Sequence, residues 1–77
     1  MNLDQTFQLD KHTTAETNIL YLKGELGLAK ASEFTSTIDP FVADTNRKLI
    51  LDLKELQYLD STGIGIILTV LKKRAMR

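Results

Sequence analysis

The chain has no cysteine, so it carries neither a disulfide framework nor a thiolate metal site. Its one histidine, His12, has no convergent set of further ligands around it and reads as a solvated loop residue, since a metal site needs several. Charge of a dominant sign is also missing. Ten basic and ten acidic residues balance, unlike the strongly positive chains of many nucleic-acid binders. There is no long hydrophobic run. The most apolar stretch, Ile64 to Leu71, is interrupted by Gly65 and Thr69 and is far shorter than the ~20 residues of a membrane span. The N-terminal MNLDQTFQLD is acidic and polar, unlike a signal peptide, and a cytoplasmic location is expected. No Gly-x-Ser-x-Gly elbow and no Gly-Lys-Ser/Thr phosphate loop occurs, and His12 is the only base that a serine nucleophile could use. An enzyme is therefore not expected, and no cofactor is implied.

What is present is enough for one small domain, residues 1–77, with a core that has little to spare. Leu3, Phe7 and Leu9 alternate with polar residues and predict a first strand from Leu3 to Asp10. A polar connector, Lys11 to Thr17, leads to a second strand, Asn18 to Gly24, and the short link favours an antiparallel hairpin. Gly24-Glu25-Leu26-Gly27 ends that strand either as a plain turn or as a loop approaching the Ser61 region. Phe34, Ile38, Phe41 and Val42 fall on one face of an amphipathic helix within 28–45, with Ser32 as N-cap and Pro40 kinking or interrupting it near Asp39.

Lys48 to Lys73 is the organising stretch. Leu49 to Leu53 predicts a strand buried on both faces, Lys54 to Leu59 a linking segment, and Asp60-Ser61-Thr62-Gly63 a polar turn. A helix follows, with Ile64, Ile67, Leu68 and Leu71 on the face toward the sheet. Ile66 and Val70 lie on another face with no evident cover, which predicts a marginal core with self-association or partial unfolding. The basic end, KKRAMR, reads as a solvated helix terminus. The order strand, strand, helix, strand, helix makes the second and third strands parallel and predicts an α/β domain with a mixed sheet. Ser61 sits where the helix begins, beside free N–H groups and the positive end of the dipole.

Leu-Asp-Leu at 51–53, Tyr-Leu-Asp-Ser-Thr-Gly-Ile-Gly at 58–65 and Gly24-Glu25-Leu26 together resemble the STAS domains of anti-sigma factor antagonists, in particular the phosphorylatable antagonists of stress-response and sporulation sigma-factor switches. The resemblance covers the whole chain. It implies the N-terminal portion of the family fold, incomplete because the family continues with further strands and helices. It implies that Ser61 is phosphorylated, with Thr62 a minor alternative, and that Asp60, Ser61, Thr62, Gly63, Gly65, Gly24 and Glu25 contact the partner. That partner would be an anti-sigma factor that is itself a serine kinase, with a phosphatase resetting the switch and no direct part for nucleic acid or membrane. The family usually has Asp where this chain has Gly27, which leaves open a STAS scaffold module that is never phosphorylated.

Overall fold

The computed structural model describes residues 7–75. A three-stranded sheet in the order β1-β2-β3 is built from β1 (Phe7–Thr13), β2 (Thr17–Leu26) and β3 (Lys48–Leu59), with α1 (Ala31–Ala43) between β2 and β3, and α2 (Ser61–Ala75) after β3. This is the expected mixed α/β order, β1–β2 antiparallel and β2–β3 parallel. Leu3 lies outside the described residues. The hairpin ladder runs further than expected, through His12↔Ile19 and Thr13↔Asn18. The connector is only Thr14 to Glu16, closed by Thr14 N–H to Thr17 O at 2.8 Å, and exposed His12 belongs to β1 rather than to a loop.

β2 is the centre of the sheet, and its inward residues Leu20, Leu22 and Leu26 are fully buried. They form one cluster with Phe7, with Phe34 and Ile38 of α1, and with Ile67 and Val70 of α2. Phe34 meets Phe7 edge-to-face at 5.5 Å, a favoured arrangement of two ring quadrupoles. Buried Asn18 is satisfied: its Oδ1 accepts from Thr13 Oγ1 at 2.7 Å and its Nδ2 donates to Asp44 at 3.1 Å. This ties the hairpin to the end of α1. The apolar face expected of α1 is the one observed, with Phe34 and Ile38 buried and Phe41 and Val42 half-buried.

Four details differ from the sequence expectation. Ser32 does not cap α1: a 3-10 turn at Leu28–Lys30 leads into the helix, Lys30 occupies the cap position and Ser32 is already helical. Pro40 lies inside α1 without interrupting it. It is exposed, so the carbonyl deprived of its N–H partner is on the wet side of the helix. β2 does not stop at Gly24 but continues to Leu26, with Gly24 at φ 88° inside the ladder, a left-handed conformation that glycine adopts without steric cost. β3 is twelve residues long and takes in the whole of Lys54 to Leu59. Two register shifts, between Tyr21/Lys23 and Gly24/Glu25 on β2, each place one extra residue in β3. Such bulges break the simple alternation, which is why that half of the strand reads as a linker. Nor is β3 buried on both faces: it is an edge strand, with Ile50 46% and Leu53 39% exposed. A short apolar run fits a covered strand and a half-covered one equally well.

The largest correction concerns α2. Its inward face is Gly63, Ile67 and Val70, with Ile66 half-buried, while Ile64, Leu68 and Leu71 are 45%, 59% and 49% exposed. The helix is thus rotated away from the expected orientation. Gly63 decides the rotation: a Cβ there would stand 2.6 Å from both Leu26 O and Leu59 Cδ1. Only the glycine side of the first turn can approach the sheet that closely. At the other end Arg74 is no solvated residue. Its Nη1 donates to Val42 O at 3.1 Å and Asp44 O at 2.9 Å, and its Nη2 to Arg47 O, so a cation closes the negative end of α1. Arg74→Met is expected to lower stability by about 2–3 kcal/mol by leaving these carbonyls without a donor; urea denaturation reads this, and an unchanged midpoint would show the clamp to be incidental.

Candidate functional site

β2 and β3 end side by side, at Leu26↔Leu59, and the chain leaves them into Gly27 and Asp60. Asp60 is the one residue between β3 and α2. Its carbonyl accepts the first helical bond, from Ile64 N–H at 2.9 Å, and its Oδ1 accepts Gly63 N–H at 2.9 Å. That is the N-cap geometry that satisfies an otherwise orphaned donor. The second oxygen, Oδ2, accepts Leu28 N–H at 3.2 Å, so one carboxylate joins the start of α2 to the segment after β2. Of the two readings of Gly27, the close-approach one describes the structure. A Cβ on Gly27 would lie 2.6 Å from Asp60 Oδ2.

These hydrogen bonds, first that from Gly63 and then those from the Leu28 and Thr62 N–H groups, hold the Asp60 carboxyl below its ordinary value of 3.8. Asp44 is held low as well, by Arg47 first and then by Asn18. Both groups have folded-state values below their unfolded ones. Their contribution is therefore present above about pH 4 and is lost as pH falls through the depressed values. Asp60→Asn and Asp44→Asn are expected to flatten the acid limb of the stability curve below pH 4, read by thermal melting against pH; a limb as steep as in the parent chain would assign the acid sensitivity elsewhere.

Ser61, the first residue of α2, is exposed, and its hydroxyl makes no hydrogen bond among the described residues. It stands where α2 presents its unpaired N–H groups and positive dipole end. Thr62 is half-buried and turned into the groove between the helices. Gly63 is buried beneath the turn, while Gly65 is exposed, with nothing within 4 Å of a Cβ built on it. Glu25, paired with Tyr58 across the sheet, shares a concavity of about 290 Å³ with Gly27, Leu28 and Asp60. Gly24 stands apart from the others, within the ladder, paired with Phe7 and Leu56. Leu28, 74% exposed, and Tyr58, 52% exposed, border the same concavity and escaped the sequence reading. Leu28 fell in an expected helix, and Tyr58 entered only as the first residue of the motif at 58–65, not as a contact residue.

The turn displays an exposed hydroxyl, and the His12 imidazole lies far from it. His12 pairs with Ile19 while Ser61 follows the Leu26↔Leu59 end, so seven strand positions, roughly 23 Å, separate that imidazole from the turn. Gly27→Asp would push against Asp60 and set two carboxylates together. It is expected to lower the melting temperature and release the cap; an unaltered melt would mean that Asp60 has room to turn aside.

The STAS domain family matches residues 8–75. The chain belongs to the STAS domain family. The anti-sigma-B factor antagonist of Staphylococcus aureus (strain NCTC 8325 / PS 47) is 30% identical to this STAS domain over 66 residues, which cover 83% of the chain and 61% of the relative. An anti-sigma factor antagonist from Mycobacterium paratuberculosis superposes with a TM-score of 0.83 at 20% identity, over 95% of this chain and 62% of that one, and shows the shared fold. SpoIIAA, an anti-sigma factor antagonist solved in its unphosphorylated form and, as a Bacillus cell fate determinant, in its phosphorylated form, superposes with TM-scores of 0.69 and 0.68. Each comparison is at 25% identity over 92% of this chain and 64% of SpoIIAA. This STAS domain thus spans less than two thirds of each of these relatives. Among its described residues no helix is long and apolar enough to cross a membrane.

Proposed function

We propose that this STAS domain acts as an anti-sigma factor antagonist, binding a serine-kinase anti-sigma factor through the Asp60–Ser61 turn and releasing the sigma factor. Phosphorylation of Ser61 switches the binding off, and a phosphatase restores it. The observation that carries this reading is the exposed Ser61 hydroxyl at the first position of α2, without a hydrogen bond among the described residues and directly after the Asp60 cap. The kinship with antagonists, one of them solved in both phosphorylation states, supports it. The domain is the kinase's substrate and ligand, and performs no chemistry of its own.

A phosphate on Ser61 is compatible with the fold, because the N–H groups and dipole of α2 favour an anion there. It is incompatible with a desolvated acidic or nucleotide-bearing partner, because it adds about −1.5 to −2 charge. The test is incubation with the anti-sigma kinase and ATP, read by intact mass. One phosphate is expected on the parent chain and none on Ser61→Ala; label surviving in Ser61→Ala, at Thr62, Ser32 or Ser36, would overturn the assignment. The second reading, a scaffold module that binds without being phosphorylated, draws on Gly27, which supplies no carboxylate and whose Cβ position is crowded by Asp60 Oδ2 at 2.6 Å. It predicts binding with no gain in mass.

A further inference from the structure

The face between the two helices has features that the fold does not use. A groove of about 310 Å³ runs between α1 and α2, floored by Ile38, Val42, Ile66 and Val70. Its margins carry Asp39 on α1 and Lys73 on α2, both exposed and neither in an ion pair among the described residues. Thr62 lines the groove one residue beyond Ser61, so it is continuous with the turn proposed to meet the kinase. Gly65 lies at that end. Gly24 needs its left-handed φ and Gly63 its close approach, but Gly65 has neither a positive φ nor an atom within 4 Å of its Cβ position. Glycine in mid-helix destabilises relative to alanine. What its missing side chain provides is open space at the mouth of the groove.

We propose that this groove is a docking site for an amphipathic helix of the anti-sigma kinase. The helix inserts an apolar side chain over Ile38 and Ile66, sets a basic residue against Asp39 and an acidic one against Lys73. A volume of about 310 Å³ is at the small end for ligand pockets and suits an apolar anchor of the helix-in-groove kind. The two opposite, unpaired charges on the margins fix its register, since complementary charges across an interface select orientation. The inference rests on the proposed function and extends it: the kinase grips this STAS domain beside the serine as well as at it.

The experiment uses the kinase that phosphorylates the chain, with affinity measured by calorimetry. Gly65→Met, which fills the mouth from an open position, is expected to weaken binding about tenfold or more, with Gly65→Ala intermediate and the melting temperature not lowered in either. Asp39→Lys and Lys73→Glu, on exposed positions that leave the core untouched, are each expected to weaken it roughly fivefold, more at low salt. Parent-like affinity in Gly65→Met and in both charge reversals overturns the groove while leaving the Ser61 reading intact. Unchanged kinase affinity together with loss of binding of the apolar dye anilinonaphthalene sulfonate in Gly65→Met would mark a small-molecule site, and also overturns it. No binding of the parent chain to the kinase removes the inference and the proposed function together.

Discussion

Gly63→Ala is expected to destabilise the chain by about 3 kcal/mol or more, which is most of what a domain of this size has. The added carbon would stand 2.6 Å from a backbone carbonyl, Leu26 O, and from Leu59 Cδ1. The leucine tip can turn aside; the carbonyl, fixed in the β2 ladder, cannot. The helix must therefore lift from the sheet, loosening Ile67 and Val70 in the core and the Asp60 cap with them. Chemical denaturation of Gly63→Ala beside Gly65→Ala reads the effect, since the second glycine is open and its alanine should stabilise by up to about 1 kcal/mol. Equal stability of the two variants would show that α2 does not dock through Gly63.

The second large effect separates stability from binding. Ser61→Glu places a fixed negative charge at the start of α2, where the dipole favours it by about 0.3–1 kcal/mol, so the melting temperature should hold or rise slightly. The same charge lies at the centre of the proposed kinase surface, beside Asp60, and should weaken association roughly 10–100-fold relative to Ser61→Ala. A loss of affinity accompanied by a lower melting temperature would instead mean that the substitution damages the fold.

How far the sequence could be read depended on how many local signals agreed. The hairpin was legible because strand alternation at Phe7 and Leu9 and a short polar connector point the same way. So was α1, because Phe34, Ile38, Phe41 and Val42 mark a single stripe. In α2 the pattern was degenerate. Ile64, Ile66, Ile67, Leu68, Val70 and Leu71 nearly encircle the helix, and periodicity cannot choose a face when two are apolar. The choice rests on the contact of Gly63 with Leu26 and Leu59, a long-range steric fact. β3 was half read for a related reason, its bulges breaking the period that identifies a strand.

Within the site, the tetrapeptide Asp60 to Gly63 was readable because a cap residue before a change of period is a local signal. The bond from Leu28 N–H to Asp60 spans thirty-two positions of sequence, and no pattern in either segment announces it. Arg74 was hidden similarly: a basic residue in the last turn of a helix satisfies a local rule, which masks its role in closing a different helix.

The most direct measurement is the affinity of the anti-sigma kinase for the unmodified chain and for the chain phosphorylated at Ser61, taken by calorimetry at one ionic strength. Phosphorylation is expected to cost at least about a hundredfold in affinity, close to 2.7 kcal/mol, with both forms folded. Equal affinities for the two folded forms would contradict it, because Ser61 would then carry no switch.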